Sequence, residues 1–448
     1  MSEATTTPPT GDVEAMAGER AMGGEPPGDR SVRSTLSALE LDTRLLGMIV
    51  ALAVIWVFFN ILSGGAFLTP RNLWNLSVQS ASIAIMATGM VLIIVSRNID
   101  LSVGSMLGLI GYVMAMIQVV WLPQVFGVSY NEPWIWVVAL AAGILLGAAM
   151  GALTGSVVAY LGVPSFIVTL GGLLIWRGLI FRFQQGQTLS PLNEIFQLLG
   201  GGPKGSLGAT FSWILGVIIC VGIIYTLWAG RRRKKRYGFP GRPLWAEVVV
   251  GVIGCGVVLA VVYLANSYMW PPALATQWAK ETGNVIPPGG IPTGIAIPVV
   301  IMLLVGLVMT YLATRRRFGR YVYAIGGNPD AAELGGINVR ATILRTFILM
   351  GILAAISAAV QTARLNSAVT NLGVQNELDV IAAAVIGGTS FAGGIGTIPG
   401  AILGAVVMQS LRSGMLLLNV DSPTQDVVVG MVLVAAVGFD SYLRRRAG

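Results

Sequence analysis

The chain has 448 residues, 55% of them hydrophobic and only 11% charged, against roughly 25% charged in an ordinary soluble domain. Apolar runs of about 20 residues, long enough to cross a hydrocarbon core of about 30 Å, recur from Leu45 to Leu443 and exclude a soluble globular protein. The absence of histidine excludes His metal sites, Ser-His or Cys-His nucleophiles and His proton relays, and the net charge of +8 is not arranged as a nucleic-acid surface. Lipid forces every backbone polar group to be satisfied within a helix or a closed barrel. The alternating ten-residue pattern of a membrane barrel is missing, so the expectation is an all-α polytopic membrane protein.

Residues 1–43 are polar and rich in Pro, Gly and Thr, as at Pro8-Pro9 and Pro26-Pro27. They offer too little apolar surface to fold and read as a disordered tail. No apolar stretch follows a basic start within the first 30 residues, which argues against a cleaved signal peptide. Residues 44–448 read as one transmembrane domain of about twelve segments: 45–62, 77–95, 101–120, 134–155, 165–183, 211–229, 244–264, 292–313, 343–363, 379–393, 398–418 and 425–443. A broken or re-entrant helix is expected near 379–400.

Placing the N-terminus in the cytoplasm puts 21 of the 28 basic residues inside, including Arg231–Arg236, Arg315–Arg317 and Arg444–Arg446. That is the positive-inside arrangement, and it places both termini in the cytoplasm. Cys220 and Cys255 both fall within apolar runs and read as small packing residues. Gly143, Gly147, Gly151 and Gly155 recur every four residues along one helix face, and Gly400 and Gly404 do so in a later span. Such stripes let helix backbones approach closely in lipid.

Three stretches depart from plain apolar helix. In SRNIDLSVGSMLGLIG, from Ser96 to Gly111, Arg97 and Asp100 interrupt an apolar run. A charge at the helix centre costs about 2.5–3.5 kcal/mol or more, so these residues belong in a turn or a polar cavity. Asp100 is placed to be the N-cap of the next helix; the alternative is a direct role in a permeation path. In ELDVIAAAVIGGTSFAGGIGTIPGAILGAVV, from Glu377 to Val407, Gly387, Gly388, Thr389 and Ser390, then Gly393-Gly394 and Pro399, break the helix inside apolar sequence. Unwound backbone at membrane depth must be buried in protein or face water, and interrupted helices point to a transport pathway. Asn98, Asp100, Ser102, Gly387, Gly388, Thr389 and Ser390 are therefore the candidate pathway residues.

The third stretch is the expected cytoplasmic loop 314–342. Within it, Asn328 reads as an N-cap, Pro329 as the first helical residue, Asp330 and Glu333 as acids near the N-terminal end, and Gly335-Gly336 as the stop. A helix this short is far below the 12–15 residues needed for independent stability. It must dock, either on its own bundle or on a separate subunit.

At these residues the sequence resembles a family. IDLSVGS, RFGRYVYAIGGNPDAAELGGI and ELDVIAAAVIGGTSFAGGIGTIPGAILGA look like the signatures of the permease subunit of bacterial ribose/xylose-type sugar ABC importers. The extra pair of spans around Arg231–Arg242 is more similar to the xylose or multiple-monosaccharide branch. The resemblance implies the ABC importer permease fold, a bacterial plasma-membrane location and a homodimer. It also implies a periplasmic or lipid-anchored sugar-binding protein and a cytoplasmic ATP-binding subunit. Gly326, Gly327, Asn328, Pro329, Asp330, Ala331, Ala332, Glu333, Leu334 and Gly335 would then couple to that ATPase. The chain itself has no GxxxxGK[ST] motif and only four lysines, Lys204, Lys234, Lys235 and Lys280. No catalytic, metal or cofactor residue is expected on it, and ATP with Mg belongs to the partner. The rival reading is an ion-coupled secondary transporter, which needs an ionisable group near the midplane. The candidates Asp100, Glu247, Asp379 and Asp440 all fall near span ends, and Arg177 can reach the outer interface.

Overall fold

In a computed structural model, residues 43–238 and 243–447 are described. The expected tail lies outside them, except for Thr43, which opens the first helix. The chain runs α1 (Thr43–Leu62), α2 (Pro70–Val95), α3 (Val103–Met116, continued by a π-helical stretch Ile117–Val125), α4 (Ile135–Tyr160), α5 (Ser165–Gln184) and the short α6 (Glu194–Leu198). It continues through α7 (Gly208–Arg236), α8 (Leu244–Ser267), α9 (Pro272–Thr282), α10 (Ile297–Arg315), α11 (Arg317–Gly327) and α12 (Pro329–Leu334). It ends with α13 (Val339–Leu365), α14 (Asn376–Ile386), α15 (Ile398–Leu417) and α16 (Ser422–Ala447).

Ten of the described helices are long and apolar enough to cross a membrane, fewer than the twelve segments expected from sequence. The difference lies at the two ends of the C-terminal region. The expected span 379–393 is the 11-residue α14, which stops at Ile386 because Gly387–Gly394 unwinds the backbone. The expected span 425–443 lies in α16, whose described apolar part is Ser422–Ala435.

The axis of the bundle is α2. Every residue from Ser80 to Val95 is buried, as befits a helix that is apolar all round. Its small residues admit the neighbours: Gly89 lies against Met350 and Leu353 of α13, and Ser82 and Ser357 share a hydrogen bond of 2.7 Å. The glycine stripe of α4 does what its spacing implies. A Cβ at Gly147 would collide with the Gly351 carbonyl, at Gly151 with the Phe347 carbonyl, and at Gly155 with the Phe347 side chain. Gly143 instead receives Met114 of α3. Gly400 and Gly404 bring α15 onto the backbone of α14 at Gly387 and Ala383.

The pair α7–α8 stands outside this core, with Ile218, Val221, Val252 and Val257 among its exposed apolar residues. It is anchored through Val262 and Ala265, which pack with Trp74, Val78 and Ile295 in a second small core. The Trp74 indole donates to the Gly294 carbonyl at 2.8 Å. Cys220 and Cys255 are free thiols facing each other's helix, each sulfur 3.9 Å from the other residue's carbonyl oxygen.

Candidate functional site

The short helix α12 is punctuated as its sequence implies. The Asn328 side chain accepts from the Ala331 amide at 3.0 Å, and Pro329 is the first helical residue. At the other end Ile337 donates to the Ala332 carbonyl and Gly336, at φ +81°, donates to Glu333. This is a Schellman closure, and it needs glycine's left-handed freedom at Gly336. Ala332 alone of the six residues is buried, while Asp330, Ala331, Glu333 and Leu334 face outward, Leu334 at 91% exposure.

Residues 317–327, which read as loop in sequence, form α11. Gly319, Val322, Ile325 and Gly326 form its buried side, a helical spacing between arginine-rich flanks. Its end is fastened to both helix breaks. Arg97, held at φ +62°, donates through Nε to the Gly326 carbonyl at 2.8 Å and through Nη2 to the Gly327 carbonyl at 2.7 Å. A cation on the last carbonyls of a helix is stabilised by the helix dipole. The Gly394 amide donates to the Val95 carbonyl at 3.0 Å. The Tyr323 hydroxyl donates to the Gly396 carbonyl at 2.6 Å, and burial raises its pKa, which keeps the phenol a donor. A Cβ on Gly326 would strike the Val95 carbonyl and the Gly394 amide. The end of α11, just before α12, and the two interruptions, separate in sequence, thus meet at one junction.

Asp100 is not the N-cap expected for α3. Ser102 holds the cap position, and Asp100 folds back on it, accepting from the Ser102 amide at 2.9 Å and hydroxyl at 2.6 Å. Backbone shape decided this, since the turn needs two more residues before α3 can start. Burial raises the Asp100 carboxyl above its ordinary pKa and the two Ser102 bonds pull it back. Asn98 turns inward to the Ser96 carbonyl at 2.9 Å. Thr389 and Ser390 are buried. Ser390 closes the loop through the Ala392 amide, whereas the Thr389 hydroxyl has no partner among the described residues. Gly387 and Gly388 line a cavity of about 240 Å³ with Leu45, Met48 and Tyr323.

Sequence reasoning missed a second cavity, of about 210 Å³, between α2, α13, α14 and α15. Its polar lining includes Gln79, Gln361, Arg364, Asn376, Asp379, Gln409 and Arg412. Arg412 donates to Asp379 Oδ1 through Nε at 3.1 Å and Nη2 at 2.9 Å, and its Nη1 lies 3.6 Å from Asp426. Asn376 donates to Gln361 at 3.0 Å. The cavity sits beside a re-entrant entry. Gly111 of α3 meets Thr362 near the end of α13, yet the Leu372 and Gly373 carbonyls lie against Gly108 and Gly104. At 1.5 Å per residue the loop before α14 reaches about 10 Å further along α3 than Thr362 does. Arg177, half-buried, donates to the Leu372 carbonyl at 3.0 Å. The only sequence signal for this site was scattered amides and arginines within apolar spans.

A helix bundle interrupted at two buried breaks, with an exposed helix tied to both, is the architecture of a solute-conducting membrane permease. The chain belongs to the family described as "Branched-chain amino acid transport system / permease component", which it matches over residues 72–437. It is 38% identical to the xylose transport system permease protein XylH of Escherichia coli over 407 residues, 91% of this chain and 94% of that one. It is 34% identical to the ribose import permease protein RbsC of the same organism, over 88% of this chain and 92% of the relative. The D-allose transport system permease protein AlsC of Escherichia coli is 29% identical, over 89% and 92%. No solved structure gives a significant match.

Proposed function

We propose that this chain is the permease subunit of an ATP-driven importer that passes a monosaccharide, xylose or a close relative, into the bacterial cytoplasm. The observation that carries the reading is the 38% identity to a xylose permease across nine-tenths of both chains; the sugar relatives, rather than the family's broader description, indicate the solute. The permease works as a homodimer, receives sugar from a binding protein outside, and is driven by an ATP-binding subunit inside that carries ATP and Mg.

In this reading both termini and the Val95 end of α2 are cytoplasmic, with Arg315–Arg317 and Arg320 on the same side. Residues Gly326–Gly335 form the element gripped by the ATPase, a helix-in-groove mode. What supports this is a helix too short to stand alone, closed at both ends and presenting Asp330, Glu333 and Leu334 outward. Asn98, Asp100, Ser102 and Gly387–Ser390 are the inner part of the sugar path. The ion-coupled alternative is weakened by the state of its carboxylates: Asp379 is paired with Arg412, Asp100 is held by Ser102, and Glu247 accepts from Arg231 at 2.7 Å.

The test is the double charge reversal Asp330→Lys with Glu333→Lys, in membranes containing the ATPase and the binding protein. Sugar uptake and binding-protein-stimulated ATP hydrolysis are expected to fall to background, with the chain still inserted. Stimulated hydrolysis at the wild-type rate would refute the docking role. Uptake driven by a proton gradient without ATP would overturn the importer reading itself.

A further inference from the structure

We propose that the polar cavity between α2, α13, α14 and α15 is a binding site for the sugar within the bundle, with Gln79 and Gln409 as its principal hydroxyl partners. The inference rests on the sugar-importer reading and adds where the solute is held and by which atoms.

Gln409 is 8% exposed, lines the cavity, and its amide has no hydrogen-bond partner among the described residues. Gln79, half-buried, and Arg364, exposed, also line it, and neither side chain is hydrogen-bonded among the described residues. Buried amides are ordinarily satisfied, so the buried Gln409 amide, with the more open Gln79 and Arg364 beside it, describes a site awaiting donors and acceptors. Vicinal hydroxyls supply both, and a carboxamide carries an acceptor oxygen beside two donor hydrogens. Asp379 uses only Oδ1 for Arg412, which leaves Oδ2 for a further hydroxyl.

Charge narrows the solute class. The two arginines of the lining are matched in number by Asp379 and by Asp426, which lies 3.6 Å from Arg412, so the site carries no net charge to favour an ionic solute. A branched apolar side chain would leave every one of these amides unpaired, which a site built for hydrogen bonds rejects. The volume of about 210 Å³ lies below the range of drug-sized pockets and suits a single monosaccharide. It lies beside the short α14, and substrate sites of membrane transporters are commonly built where a helix is interrupted.

The test places a thiol in the cavity of the full chain in lipid nanodiscs, as Gln409→Cys and separately Gln79→Cys. Labelling by a small water-soluble thiol reagent is followed with and without D-xylose, and with L-leucine for comparison. D-xylose is expected to slow labelling at least tenfold at either position, with L-leucine giving no protection. Cys220 and Cys255, distant in sequence and set between α7 and α8, serve as internal references that D-xylose leaves unchanged. Equal labelling with and without D-xylose at both positions overturns the proposal, as does protection by L-leucine alone. Uptake by the wild-type importer separates the two levels. If it imports D-xylose and neither thiol is protected, this inference alone falls; if it imports L-leucine and not sugar, the sugar reading falls and this inference with it.

Discussion

Substituting Gly326 by alanine isolates the junction between the end of α11 and the helix breaks. The added methyl would meet two backbone groups, the Val95 carbonyl and the Gly394 amide, and neither can move aside as a side-chain tip could. Overpacking of this kind costs about 1–3 kcal/mol. The strain opens the contact between α11, the end of α2 and the loop 387–397, while Asp330 and Glu333 on α12 are untouched. If that contact carries the motion of the ATPase to the bundle, a loss of 1–3 kcal/mol in coupling corresponds to about 5–150-fold. The assay is sugar transported per ATP hydrolysed, in proteoliposomes holding the complete importer. The ratio is expected to fall at least about fivefold in Gly326→Ala while ATP hydrolysis continues. Gly171→Ala, where nothing lies within 4 Å, controls for a glycine-to-alanine change as such. A wild-type ratio in Gly326→Ala would refute the role of the junction, and an equal fall in Gly171→Ala would show that the effect is not local.

Two further substitutions test the packing around the site. Gly147→Leu should prevent α4 from seating on α13, because the Gly351 carbonyl already fills the space; loss of stably inserted chain is the expected result, and normal insertion with normal uptake would contradict it. Arg412→Ala leaves Asp379, whose side chain is 5% exposed, without its cation. Removing one partner of a buried pair costs about 3–5 kcal/mol, and the low end applies because Arg412 keeps some solvent contact. Thermal unfolding of the purified chain should show Arg412→Ala with Asp379→Ala to be less damaging than the sum of the single changes; strict additivity would refute the pairing.

The sequence by itself determined the membrane class, most of the spans, the two interruptions and the short helix at Pro329. These are local: a span is a run of apolar residues, a break is a cluster of Gly, and a cap is one Asn three residues from the amide it accepts. It drew 379–393 as a single segment because an apolar run does not reveal where its glycines unwind the backbone. It also missed α11, whose apolar spacing is obscured by arginines and glycines. Asp100 was misplaced by two residues, since a carboxylate just before a helix can bond either to the helix or to the turn leading into it. The tertiary structure alone decided that Arg97, Gly326 and Gly394 meet, and that Gln79, Gln361, Asp379 and Gln409 surround one cavity. Those residues are separated by tens to hundreds of positions, and nothing in a helix's own periodicity states which face of which neighbour it will find. That choice falls to glycine stripes and buried polar pairs, whose complementarity exists only once the helices are side by side.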